Sequence, residues 1–167
     1  MTPFEVLGLP MQFDIDARNL ERAWLDRSRA VHPDRFAGKP DKERREAAQQ
    51  TVALNDAYAA IKDPFDRAVW LVTNAGEKLA GLDQPLLVEM MELRERAEES
   101  ATEKAAVVAE CSARFAALRA SLDGQLKVLD DTVSIKRAAR SLAEMKTLAR
   151  LVADLGGAAL ISGLDRR

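Results

Sequence analysis

Residues 16–36 read DARNLERAWLDRSRAVHPDRF. Asp16 is suited to cap a helix, and Leu20, Trp24 and Val31 return at helical spacing. That helix should stop near His32, because Pro33 disfavours a helical residue before it. Residues 36–40 then read as loop, and a second helix is expected over about Asp41–Lys62, with Ala48, Val52, Leu54, Tyr58 and Ile61 as its apolar positions. The two helices should form an antiparallel pair joined by a rigid proline bend that presents an imidazole and a carboxylate to solvent. A short turn over Met1–Leu9 precedes the pair, and Asp63-Pro64 restarts a short helix over Phe65–Asn74.

Composition agrees with helices throughout. Of 167 residues, 29 are Ala and 21 are Leu, whereas Val, Ile and Thr number 11, 4 and 6. Ala and Leu lose little on entering a helix, while strands favour the β-branched types. The net charge of −2 supplies no broad positive field, so neither nucleic acid nor an acidic membrane is an expected partner. No uncharged apolar stretch approaches the roughly 20 residues that span a bilayer, and the start of the chain lacks a basic, apolar leader. The chain therefore reads as cytoplasmic or organelle-internal, with the cytoplasm as the expectation. One cysteine, Cys111, and one histidine, His32, cannot form an internal disulfide or a zinc site of four N/S ligands. No metal and no cofactor is expected.

Residues 75–83, AGEKLAGLD, hold two glycines and no clear period. They divide an N-terminal unit, residues 1–75, from a second block over 84–167, with 76–83 as linker. Helices are expected there over about Gln84–Thr102, Glu103–Leu122 and Thr132–Leu155, a three-helix bundle whose last member stops at Gly156-Gly157. Val108, Cys111, Phe115, Leu118 and Leu122 form a core seam in the middle helix, which makes Cys111 a small buried hydrophobe in preference to a nucleophile. The tail from Leu160 to Arg167 reads as disordered.

By itself His32-Pro33-Asp34 has two readings: a plain helix stop, or a presented site. Catalysis is disfavoured, because one His and one Asp without a nucleophile at a recognisable spacing make no triad. Context adds to this. Phe4-Glu-Val-Leu-Gly-Leu9, the helix ending in His32-Pro33-Asp34-Arg35-Phe36, then Leu54-Asn55-Asp56-Ala57-Tyr58, and Asp63-Pro64 followed by Arg67-Ala68 together resemble a J-domain. The resemblance implies a co-chaperone, not itself an enzyme, that docks on a 70-kDa heat-shock ATPase and stimulates ATP hydrolysis there, with His32, Pro33 and Asp34 matching the family tripeptide. Around it Arg22, Arg27, Arg29 and Arg35 form a basic patch, read either as solvated surface or as steering onto an acidic groove of the ATPase. Arg27 stands where the J-domain pattern usually has a core leucine.

The first helix of the second block is richer in apolar residues than one core stripe can use. Leu86, Met90, Leu93, Ala97 and Ala101 complete an inward seam, leaving Leu87, Val88 and Met91 on a neighbouring face that continues into Glu92, Glu95 and Glu99. From Asp83 to Glu99 there are six acidic and two basic residues. The three spare apolar side chains either pack on another element or form a partner site, since leaving large apolar groups in water costs about 1.5–3 kcal/mol each. A J-like unit followed by a short three-helix bundle opening with Leu87-Val-Glu-Met-Met-Glu-Leu-Arg-Glu95 resembles the HscB family of co-chaperones of iron–sulfur cluster assembly. That resemblance implies a scaffold-binding face made by Leu87, Val88, Met91, Glu92, Glu95 and Glu99, an IscU-type scaffold as client and an HscA-type chaperone as recipient. Glu144 stands near where an aromatic contributor to that face is expected. Two alternatives stay open: a J-domain co-chaperone with another client, and a helical interaction protein in which the tripeptide is only a bend.

Overall fold

The computed structural model describes residues 1–79 and 81–161, so residues 162–167 of the expected disordered tail lie outside the described residues. The described chain is all-α, with no strand among the described residues. The helices are α1 (Pro3–Leu7), α2 (Ala17–Ala30), α3 (Asp41–Ile61), α4 (Pro64–Asn74), α5 (Gln84–Glu99), α6 (Ala101–Gln125) and α7 (Thr132–Asp154), with a 3₁₀ turn over Pro33–Phe36. Two compact units result, Met1–Trp70 and Leu71–Arg167. The division falls inside α4, which is continuous through Asn74.

In the first unit α3 is the central element, packing against α1, α2 and the 3₁₀ turn. The pairing of α2 with α3 is antiparallel: Trp24 stacks on Tyr58 at 4.8 Å between ring centroids and donates to Asn55 Oδ1 at 3.1 Å, while one helix end later Thr51 Oγ1 donates to the Val31 carbonyl. Asp16 caps α2 through the Asn19 N–H, as its side-chain chemistry predicts. The expected turn over Met1–Leu9 is instead a short helix closed at both ends. Thr2 and Glu5 form a reciprocal capping box, and the Thr2 N–H holds the Glu5 carboxyl below its ordinary range. At the other end Gly8 adopts φ 64°, which a side chain resists. Phe4, Leu7, Leu20, Leu54, Ala57 and Ile61 fill the core, and Phe4 meets Trp70 at 5.3 Å. On α3 the apolar face differs from expectation: Ala47 and Ala57 are buried with Leu54 and Ile61, whereas Ala48 and Val52 face solvent, because helical pitch puts the four buried residues on one side and turns Ala48 and Val52 about 100° and 140° away from Ala47.

Arg67 explains why Asp63-Pro64 is followed by an arginine. Its side chain is only 4% exposed as a residue, and it donates to the carbonyls of Ile61 and Phe13, each at 2.8 Å, and of Lys62 at 3.5 Å. The orphan carbonyls ending α3 and one carbonyl of the α1–α2 loop thereby share one cation. Burial lowers the Arg67 pKa, opposed by the charges of Asp63 and Asp14.

In the second unit α6 packs on both α5 and α7. The α5–α6 boundary falls at Ser100, not after Thr102 as expected. Ser100 is extended, with φ −163°, and its hydroxyl accepts from the Glu103 N–H, so it ends one helix and caps the next. Ala101 consequently starts α6 and is exposed, which removes it from the α5 seam; Leu86, Met90, Leu93 and Ala97 remain buried as expected. On α6 the fully buried seam is Val107, Cys111, Phe115 and Leu122, with Val108 and Leu118 half-buried at its edge. Burial, then the Glu110 charge, pushes the Cys111 thiol pKa up, in keeping with a packing role. α7 ends where Gly156 takes φ 78°.

Candidate functional site

His32 follows the end of α2 in an extended conformation, φ −58° and ψ 133°, as a residue before proline should. Pro33 opens the 3₁₀ turn, whose first bond runs from the Arg35 N–H to the His32 carbonyl at 3.0 Å. His32 Nδ1 accepts from the Asp34 N–H at 3.3 Å, which leaves that nitrogen without a proton and puts the imidazole hydrogen on Nε2. Asp34 Oδ2 lies 3.5 Å from the same Nδ1, a contact with no hydrogen to share in that tautomer. The Asp34 side chain is 90% exposed and, among the described residues, pairs with no lysine or arginine. A donor on Nε2 and a carboxylate without a lysine or arginine partner thus stand side by side on a stiff bend, the first suited to a partner's acceptor and the second to a partner's cation.

The flanking arginines divide into two sets. Arg22 and Arg29 share the outer face of α2 with Arg18, lining a shallow depression of about 350 Å³ together with Leu25. Arg29 meets Asp26 at 3.5 Å, and Arg35 Nη1 donates back to the Arg29 carbonyl at 3.4 Å, which ties the turn to that face. Arg18 was absent from the sequence reading, although the 18-22-29 spacing of three arginines on one helical face signals it. Arg27 belongs elsewhere. Five residues past Arg22, it is rotated by about 140° at 100° per residue. It lies over Gly8 and lines a separate groove with Val6, Val31 and Leu54. Where the pattern has a core leucine, the exposed guanidinium covers the end of α1.

The second set of residues lies on α5. Leu87, Val88 and Met91 are 46%, 51% and 63% exposed, and Glu92, Glu95 and Glu99 are exposed beside them. The six therefore do share one outward face, about 140° wide. None of the three glutamates pairs with a cation among the described residues. Ion pairs that sequence spacing did not reveal hold α5 at its edges. Arg96 bridges to Glu103 and Glu110 of α6, and Arg94 meets Asp154 of α7 at 2.7 Å. Arg114 of α6 reaches Glu89 of α5 and Glu144 of α7, each at 2.5 Å, and the Glu89 bond raises its pKa. Glu144 is only 14% exposed and is spent on Arg114 instead of joining the outward face. Among the described residues no group of three His, Cys, Asp or Glu could hold a metal ion, and no helix is long and apolar enough to cross a membrane.

A helical unit built around an exposed His-Pro-Asp bend, carried in one chain with a three-helix bundle, defines a J-domain co-chaperone. The comparisons with known proteins make this specific. No family model matches the chain. It is 36% identical over 161 residues to the co-chaperone HscB homologue of Bordetella petrii, covering 93% of this chain and 94% of that one. To the co-chaperone HscB of Proteus mirabilis it is 34% identical over 160 residues, 90% and 91% of the two chains. Among solved structures, the chaperone HscB from Vibrio cholerae superposes with a TM-score of 0.74 at 32% identity, covering 93% of this chain and 96% of that one. The human co-chaperone HscB shares the fold with a TM-score of 0.76 at 19% identity, over 93% and 81%. The chain belongs to the HscB family of co-chaperones.

Proposed function

We propose that this co-chaperone is a two-site adaptor without chemistry of its own. Its first unit docks on a specialised HscA-type heat-shock ATPase and stimulates hydrolysis there; its α5 face binds an IscU-type iron–sulfur scaffold and delivers it, in the cytoplasm. The observation that carries the reading is the pair of unsatisfied surfaces on one chain: an unpaired Asp34 beside a donor-bearing His32, and three exposed apolar side chains running into three unpaired glutamates. His32, Pro33 and Asp34 would engage the ATPase, with Arg22, Arg29 and Arg35 steering the approach and Arg18 added on geometry. Arg27 has no part in that patch. Leu87, Val88 and Met91 would supply the apolar centre of the client contact, and Glu92, Glu95 and Glu99 a rim selecting a basic neighbour on the client. Joining both sites in one chain raises the effective concentration of client at the ATPase, so that modest affinities suffice.

The test is single-turnover ATP hydrolysis by the organism's own HscA-type chaperone, with and without the scaffold. The wild type should stimulate, the scaffold should add to it, and His32→Gln should abolish stimulation while leaving scaffold affinity unchanged. Leu87→Ala with Met91→Ala should do the reverse. Stimulation that needs His32 but ignores the scaffold would assign another client. No stimulation by the wild type would reduce the tripeptide to a bend.

A further inference from the structure

Beyond the α5 face, the second unit carries a basic depression that the function proposed above leaves unused. It has a volume of about 540 Å³ and is lined by Lys78, Val133, Lys136, Arg137 and Arg140, with carboxylates from Glu77 and Asp83. Val133 is exposed, and among the described residues Lys78, Lys136 and Arg137 make no ion pair. The depression reaches the start of α5 through Asp83, which lines it. Asp83 caps that helix by accepting the Leu86 N–H at 3.2 Å, and its other carboxylate oxygen takes the guanidinium of Arg140 from α7. Leu87 lies four residues beyond Asp83, which is about 6 Å along the helix and about 40° round it. Asp83 therefore joins two surfaces: the cations lie on its α7 side, and Leu87, Val88 and Met91 followed by Glu92, Glu95 and Glu99 are exposed along α5 beyond it.

We infer that the client surface extends past α5 into this depression, where Lys136, Arg137 and Lys78 receive an acidic segment of the same client that carries an apolar residue against Val133. The inference rests on the scaffold-binding reading of α5 and deepens it: the client must present basic, apolar and acidic groups in that order against α5 and α7. An acidic peptide suits the lining better than a polyanion. Glu77 and Asp83 repel a dense array of phosphates, and the chain as a whole carries −2, whereas two or three separated carboxylates can reach the lysines and Arg137 singly.

The experiment is calorimetric titration of the scaffold protein into the full chain and into its Lys136→Glu, Arg137→Glu double variant, at low and high salt. Both residues are exposed and outside the ion pairs that hold the bundle. Scaffold Kd should rise about tenfold at low salt, the gap should shrink at high salt, and stimulation of the ATPase without scaffold should stay unchanged. A photo-cross-linker at Val133→Cys should capture an acidic stretch of the scaffold. Unchanged Kd in the folded double variant, or a cross-link to a segment without carboxylates, would overturn the inference while leaving the α5 reading intact. Loss of binding to phosphatidylglycerol vesicles with scaffold Kd unchanged would assign the depression to a lipid surface and overturn it likewise. A wild type that does not bind the scaffold at all would overturn both readings.

Discussion

Replacing Arg67 by methionine should test whether one buried cation holds the first unit together. Methionine keeps much of the apolar stem, so the substitution chiefly removes the guanidinium. Two bonds at 2.8 Å, to Ile61 and Phe13, are lost, along with a long one to Lys62 at 3.5 Å. Hydrogen bonds from a charged donor contribute about 1.5–3 kcal/mol each, and carbonyls left buried without a donor cost a comparable amount. Against this, the variant no longer buries a charge, the same desolvation that lowers the Arg67 pKa. The balance is a loss of about 3 kcal/mol, which for a unit of this size lowers Tm by about 12–25 °C. Thermal unfolding followed by circular dichroism measures the shift, and amide exchange at the Phe13 loop locates it. A fall of less than about 4 °C, equivalent to under 1 kcal/mol, would refute the reasoning. It would mean that water or backbone rearrangement satisfies those carbonyls as well as the arginine does.

Two other predictions concern the bundle. Arg114→Met removes the fork between Glu89 and Glu144 and strands the mostly buried Glu144, so the second unit should lose about 1–2 kcal/mol in denaturant titration. Adding Glu144→Gln should recover part of that, and a further loss would contradict the assignment. Cys111 is buried with its thiol pKa pushed up, so native protein should react with a disulfide reagent at neutral pH at least about 100-fold more slowly than unfolded protein. Rapid native labelling would show that the α6 seam opens readily.

Local chemistry made most of the fold readable in the chain. Asp16, Asp63-Pro64, Asp83 and Gly156 set helix ends with groups that act within four residues, and these ends stood close to where the residues placed them. The outward face of α5 was legible for the same reason, since a helix of known pitch fixes which side chains share a side. Errors arose where two local rules competed. Ser100 serves as both the end of α5 and the cap of α6, and small residues such as Ala47 and Ala48 offer no hydropathy contrast to choose the buried one.

What the chain alone determined, then, is its helices, its His32-Pro33-Asp34 bend and the apolar-acidic run on α5, because each depends on neighbours within a turn or two. Tertiary structure decided the rest. It assigned Arg67 to a carbonyl 54 residues away, Arg114 to glutamates on two other helices, Glu144 to the interior side of α7, and Arg27 to Gly8 instead of to the other arginines. A charged side chain takes whatever partner packing brings within a few ångströms, and no periodicity in the sequence encodes which one that is.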